Sequence, residues 1–428
     1  MRIIDARKDP RSLLQLPERV QEQRQDVEER VRAILAAVRA DGDEAVTTYT
    51  RQLDCKFIDS IGLRVSDRER EAAHKSVSPE FLKALRAAKR NITRYHRGQQ
   101  LHTWTVRENG RKLVQRYIPL ERVGIYVPGG KAAYPSTVLM NAIPASLAGV
   151  REIVMTTPCH SDGKILPEVM VAAGECGVRE IYRIGGAQAI GALAYGTESI
   201  RRVDKIAGPG NAYVAAAKRL VFGTVGIDMI AGPTEVVIVA DETARPVFVA
   251  ADLIAQAEHD EDAWPVLITT SQRFAETVCG EVQRQLVDAP RRAVASRSLE
   301  RHGIAVVVAD RDAALNLANS LAPEHLEVMV RRPREFARRV RHAGSVFVGN
   351  WSAEVLGDYV AGPNHTLPTA GTARFSSPLG VHDFMKFTNI IEFTRSGMRR
   401  VARQAEILAE AEGLFGHAAS VRVRREDV

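Results

Sequence analysis

The feature that most constrains this chain is an alternation. From Val123 onward, short runs rich in valine and isoleucine end in glycine or proline, give way to helical periodicity, and then recur. Such alternation calls for a parallel sheet with helices on its faces, because consecutive parallel strands need a crossover long enough to hold a helix. The spacing predicts strands over 124–127, 152–156, 180–184 and 205–207, with helices over 136–148, 167–176, 187–195 and 212–222. A second set begins at Glu235, with strands over 236–240, 266–269, 304–308, 326–330 and 345–348 and helices over 247–257, 273–286, 311–321 and 334–342. The same alternation twice implies two similar α/β domains, although no clear sequence repeat links them.

The flanks read differently. Val27, Val31, Ile34, Leu35 and Val38 fall at helical spacing, Asp41-Gly42-Asp43 supplies a stop, and a second helical stretch covers 79–95. The expected organisation is a mainly helical region over 1–115, a first α/β domain over 116–233, a second over 234–372, and a small carboxyl-terminal arm over 373–428. The arm holds one good helix, over 398–414, and a basic end.

Composition enters where it excludes a class. The net charge of +7 would suggest nucleic acid if the basic residues clustered. They do not: the densest stretch, Arg331 to His342, sets Phe336 and Val340 four apart, the pattern of an amphipathic helix with a solvated basic face. A basic nucleic-acid-binding or metal-binding protein without catalysis is the minor alternative, and it requires salt-sensitive binding to DNA or RNA. Four scattered cysteines form no CxxC pattern, so no disulfide framework is expected. The beginning of the chain has no signal-peptide core, and no run approaches the roughly 18 apolar residues that span a bilayer, so the expected location is the cytoplasm.

Several stretches carry chemistry. Gly129-Gly130, Gly185-Gly186-Ala187-Gln188 and Gly208-Pro209-Gly210-Asn211 each follow a predicted strand and open a helix, where backbone N–H groups can approach a phosphate. None is GxGxxG, so a plain turn stays open for each; three together favour a dinucleotide. Gln256 and His259, three apart on a predicted helix, share a face and could share a metal, or His259 could be a packed core group. Glu324 and His325 set a carboxylate beside an imidazole in a helix-to-strand turn, a pairing suited to proton transfer or simply a turn. The polar segment from Gly357 to Pro368 offers Asp358 as a hard ligand and His365 as a supporting residue, and Glu412 and His417 close the last predicted helix.

In order and wording, these stretches resemble the histidinol dehydrogenase family over nearly the whole chain. The most specific part runs from Ile227 through Asp241 (IDMIAGPTEVVIVAD) and on through Asp252 to His259 (DLIAQAEH). GIYVPGG, GGAQAIGALAYGTES, DKIAGPGNAYV, PEHLE, AGSVFVG, GDYVAGPNHTLPT and ARFSSPLGV follow the same family in the same order. The resemblance implies two Rossmann-like domains of the aldehyde-dehydrogenase kind, and two successive NAD-linked oxidations of L-histidinol, through the aldehyde to L-histidine. It implies one zinc ion per subunit held by Gln256, His259, Asp358 and His417. Substrate would touch these together with Thr234, His325 and Glu412. Glu324 and His325 match the acid–base residues, and Tyr126, Gln188 and Asn211 the NAD contacts. It also implies a homodimer in which the arm carrying Glu412 and His417 reaches into the partner's site. Thr234 departs from the family's frequent serine but keeps the hydroxyl. The rival enzyme reading is a zinc-dependent relative acting on another small alcohol, such as a sulfonated diol; that substrate would call for extra cationic groups. A cysteine nucleophile, the rival covalent route, has no matching motif here.

Overall fold

The computed structural model describes residues 1–7, 25–129 and 134–426; Gly130, half of one glycine-rich junction, lies outside the described residues, as do residues 8–24 of the amino-terminal region. In chain order the strands are β1 (Arg2–Asp5), β2 (Trp104–Glu108), β3 (Arg111–Pro119), β4 (Arg122–Tyr126), β5 (Glu152–Thr156), β6 (Glu180–Tyr182), β7 (Lys205–Ala207), β8 (Gly226–Ile227), β9 (Glu235–Ala240), β10 (Trp264–Thr269), β11 (Ile304–Val307), β12 (His325–Met329), β13 (Ser345–Val348) and β14 (Met385–Phe393).

Two of the three sheets among the described residues are parallel. One has the order β6-β5-β4-β7-β8 and the other β1-β11-β10-β9-β12-β13. Counted within its own set, each reads third, second, first, fourth, fifth, with β1 added at the edge of the second. This is the doubly wound order, in which the winding reverses between the first and fourth strands and opens a crevice at their carboxyl ends. The duplication suggested by the alternation is therefore one of topology. Both sheets are covered on both faces by separate apolar clusters. That double burial is why β9, Glu-Val-Val-Ile-Val-Ala, is buried throughout and nearly all apolar.

Other elements differ from expectation. The third sheet, β14-β3-β2, is antiparallel, and β2 and most of β14 are exposed; their mixed polar and apolar residues gave no apolar run to find. β1 pairs with β11, Arg2 with Ile304 through Asp5 with Val307, so the opening residues belong to the second sheet. The helix expected to stop at Asp41-Gly42-Asp43 breaks at Gly42, φ 53° and ψ −127°, but resumes at once, so helical chain covers Gln25–Leu53. It lies across Gly186–Tyr195 and Ala212–Val221, while Asp67–Ser76 packs on Pro167–Glu175 and Pro79–Arg97 on Pro135–Ala148. These amino-terminal helices form an outer layer of the first α/β domain.

The basic stretch makes only the short helix Pro333–Ala337, with Phe336 buried and most of its arginines exposed. The arm holds two helices, Arg395–Ala411 and Phe415–Glu426, where one was expected; Gly413, at φ 73°, separates them. Among the described residues no helix is long and apolar enough to cross a membrane, and all four cysteines are free.

Candidate active site

A cavity of about 1010 Å³ lies between the two parallel sheets. Pro128, Gly129 and Gly208 to Ala212 line it from the first domain, just past the carboxyl ends of β4 and β7. Thr234, Glu324 and His325 line it from the second, at the amino ends of β9 and β12. The first domain thus uses its switch-point crevice as doubly wound folds usually do. The second domain does not. At the carboxyl ends of β9 and β12 only about 50 Å³ remains, beside Phe336 and an Asp241 carboxylate that accepts from Thr243 N–H at 2.9 Å and Arg331 N–H at 2.8 Å.

On the first wall, Gly208 has φ 116°, and a β-carbon there would stand 2.1 Å from the Tyr126 carbonyl oxygen, so the junction admits only glycine. Its N–H donates to Asp228 at 2.7 Å and its carbonyl accepts from Lys218 at 2.8 Å, while Lys218 and Asp228 form a buried ion pair. Asn211 caps the helix Ala212–Val221, its side-chain oxygen accepting from Tyr213 and Val214 N–H. Tyr126 and Gln188 do not line the cavity. The Tyr126 hydroxyl accepts from Gly186 N–H at 3.2 Å behind the glycine-rich turn, and burial pushes it up to about 12. The Gln188 amide is buried with neither polar atom hydrogen-bonded among the described residues.

On the second wall, His325 Nδ1–H donates to the Glu235 carbonyl at 3.0 Å, which fixes the tautomer and leaves Nε2 with its lone pair. Nε2 is buried, has no hydrogen-bond partner among the described residues, and stands 3.8 Å from Asp358 Oδ1. Burial lowers the imidazole's pKa, with Asp358 opposing, so the ring is a neutral base. Glu324 accepts from the Thr234 hydroxyl at 2.7 Å and Glu235 N–H at 2.9 Å; burial outweighs both and pushes it up to about 8. Gln256 is fully buried behind Thr234. Its amide turns Nε2 to both oxygens of Glu354, 2.8 and 2.9 Å, and Oε1 to Glu235 N–H at 3.0 Å and to Thr234 Oγ1 at 2.6 Å, where it is the alternative to Glu324 for the one hydroxyl proton. His259 Nδ1–H donates to the Ala255 carbonyl at 3.1 Å, so its Nε2 lone pair is available. His365 lies against the same cavity, Nδ1–H donating to the Asp358 carbonyl at 3.0 Å and Nε2 3.3 Å from the Thr137 hydroxyl; burial drives its pKa down to about 4.

Thr234, His259, Glu324, His325, Asp358 and Asn211 therefore meet around one cavity, with Gln256 directly behind. Glu412 and His417 do not join them within this chain: both are exposed on the arm and neither lines the cavity. Several buried acids were missed from sequence, namely Glu354, Glu327, Asp252 and Glu235. Their spacing held a hint, since Glu354 and Asp358 are four apart on a helix, Asp252 and Gln256 four apart on another, and His325 and Glu327 two apart on a strand.

The donors suit a cation such as zinc in kind. Ligand-capable atoms of His325, Glu354 and Asp358 all lie within 4.8 Å of one another, and His259, with its free nitrogen, lines the same cavity. Burial raises the pKa of Asp358, and burial with carboxylate neighbours raises that of Glu354 well above the usual range, a concentration of acid that a positive charge would relieve. For a dinucleotide, the glycine-rich turn at Gly208 and the orphaned Gln188 amide offer a cradle and an unspent polar group.

Comparison with known proteins agrees with this geometry. The family model described as histidinol dehydrogenase matches residues 17–425. The chain is 54% identical over 404 residues to histidinol dehydrogenase of Moorella thermoacetica, covering 94% of this chain and 95% of that one. It is 49% identical over 431 residues to that of Aquifex aeolicus, covering 100% of each. The crystal structure of histidinol dehydrogenase from Elizabethkingia anophelis superposes with a TM-score of 0.94 at 37% identity, covering 100% of this chain and 98% of that one. Two doubly wound domains closing on a buried carboxyl beside a buried imidazole, in a chain matched end to end, mark an oxidoreductase that belongs to the histidinol dehydrogenase family.

Proposed function

We propose that this chain oxidises L-histidinol to L-histidine in two NAD-linked steps at the cavity between the domains. The observation that carries the proposal is His325 Nε2, a buried, neutral and unpartnered base directly beside Glu324. In the first step His325 takes the alcohol proton as the carbon gives up a hydride, and the product is the aldehyde. Glu324, once ionised, takes a proton from water as the water oxygen adds to the aldehyde carbon, and His325 returns the proton it took in the first step to the former carbonyl oxygen, giving the hydrate and a neutral imidazole. His325 then takes a hydroxyl proton as the second hydride leaves, and the product is the acid. One adjacent pair serves both steps because both occur at the same carbon.

Gln256, His259 and Asp358 would hold zinc, with His417 of the partner subunit completing the set. When bound, zinc supplies a Lewis acid that positions the substrate's imidazole and amine nitrogens. When bound, NAD supplies the hydride acceptor, two molecules per turnover, near Asn211, Gln188 and Tyr126. The Thr234 hydroxyl and Glu412 of the partner subunit would touch substrate. A homodimer with exchanged arms is supported by the large apolar residues the arm leaves exposed, among them Ile391, Leu408 and Phe415.

The test is stoichiometric. With zinc present and L-histidinol limiting, two NADH are expected for each L-histidine formed, followed by absorbance and by chromatography of the product. No NADH, or one with the aldehyde accumulating, sinks the assignment.

A further inference from the structure

Glu354 takes no part in the chemistry above, yet it is only 2% exposed. It opens the helix Glu354–Tyr359 that carries Asp358, and its N–H donates to Glu327 Oε1 at 2.8 Å. Its carboxyl receives Gln256 Nε2 at 2.8 and 2.9 Å. Asp252, one turn before Gln256 on the helix Pro246–Ala257, is an electrostatic neighbour of Glu327 in turn. The two helices bearing Gln256 and Asp358 are thus tied through one row of buried acids.

A primary amide is nearly symmetric in shape and opposite in polarity at its two ends, so its neighbours decide which end points where. Glu354 holds Nε2, and Oε1 is thereby turned toward Thr234 and Glu235 N–H. Thr234 has a second acceptor in Glu324 at 2.7 Å, so its hydroxyl can turn away and release an Oε1 lone pair. Only that oxygen, of the two amide atoms, can ligate a cation. Either protonation state of Glu354 keeps an oxygen able to accept from Nε2, so the orientation does not depend on titration.

We infer that Glu354 is a positioning residue, which holds the Gln256 amide with its oxygen toward the zinc site. The inference rests on the proposed place of Gln256 among the zinc ligands. Partners of this kind typically change metal affinity by about ten- to hundredfold when removed.

The experiment measures zinc affinity of the full chain by competition with a graded chelator, for the native chain, Glu354→Leu, Glu354→Gln, Gln256→Ala and the Gln256→Ala/Glu354→Leu double variant. Glu354→Leu, which keeps bulk and loses the acceptor, should bind about ten- to hundredfold more weakly. Glu354→Gln, which keeps one accepting oxygen, should stay within about threefold of native. In the Gln256→Ala background Glu354→Leu should cost nothing more, because the amide it orients is gone. Native affinity in Glu354→Leu overturns the inference, and so does an equal loss with and without Gln256, which would mean that the acid acts on zinc directly. If Gln256→Ala binds zinc as the native chain does, the zinc set itself is wrong, and that failure is separate. Should Glu354→Leu not fold, Glu354→Asp withdraws the carboxyl by one methylene; unchanged affinity there overturns the inference as well, and weakened affinity upholds it.

Discussion

Burial moves the Glu324 carboxyl up to about 8 and the His325 imidazole down, so near neutrality the unliganded pair is largely uncharged. The consequence for stability has a definite sign. A carboxyl whose folded pKa exceeds its unfolded value favours the native state most below the unfolded value, and that advantage is lost as pH rises through the folded one. His325, shifted the other way, acts only below its ordinary value of 6.5. Between pH 6.5 and 8.5 the zinc-free chain should therefore lose about 2 kcal/mol through Glu324 alone, with Glu327 and Glu354 adding in the same direction. Denaturant midpoints at the two pH values check this; an unchanged or rising midpoint counts against it, and saturating zinc should shrink the drop. For activity, Glu324→Gln should leave alcohol oxidation within about tenfold and slow aldehyde oxidation by about 10² or more, read as a fall from two NADH per substrate toward one. The adjacency of Glu324 and His325 was legible because a carboxylate next to an imidazole is chemically conspicuous. Glu354 was not, since an acid in the first turn of a helix is what any helix favours.

Among elements, the turn after β7 has the least freedom. Gly208→Ala would bring a β-carbon against the Tyr126 carbonyl in a left-handed conformation and disturb the contacts to Lys218 and Asp228. A loss of at least about 2 kcal/mol is expected, with NADH binding weakened in parallel, by thermal melts and cofactor fluorescence. Asn211→Ala removes the cap and should cost about 1 kcal/mol of stability. Native-like stability in Gly208→Ala would show that the turn can relax elsewhere. The parallel strands were legible because burial on both faces makes them continuous apolar runs. β2 and β14 were not, because Trp104 to Glu108 and Met385 to Phe393 mix charges with apolar residues on a sheet that one chain leaves largely uncovered. Four residues of β1 carried too little pattern to find, and glycine at 42 marked a bend rather than an end.

At the scale of the molecule, one topology is used twice with opposite outcomes. The first domain keeps its switch-point crevice open; the second fills its own with Asp241 and Phe336 and offers the other edge of its sheet to the cavity. The arm is left with Phe415 at 70% and Leu408 at 65% exposure, and with Glu412 and His417 away from that cavity. No sequence pattern could say whose cavity they serve. If it is the partner's, mixing Glu324→Gln and His417→Ala chains, each deficient in aldehyde oxidation, under exchange should restore about a quarter of that native activity, since half the dimers pair unlike chains and one of their two sites is intact. No recovery in demonstrably mixed dimers would mean that the arm acts on its own chain. The edge strand β1 also has a consequence in time. Its partner β11 lies about three hundred residues downstream, so at about 5–20 residues per second the ribosome delivers that partner roughly 15–60 s later. Residues made well before their partner are thus seated late, and the second domain finishes its sheet only by reaching back across the whole of the first.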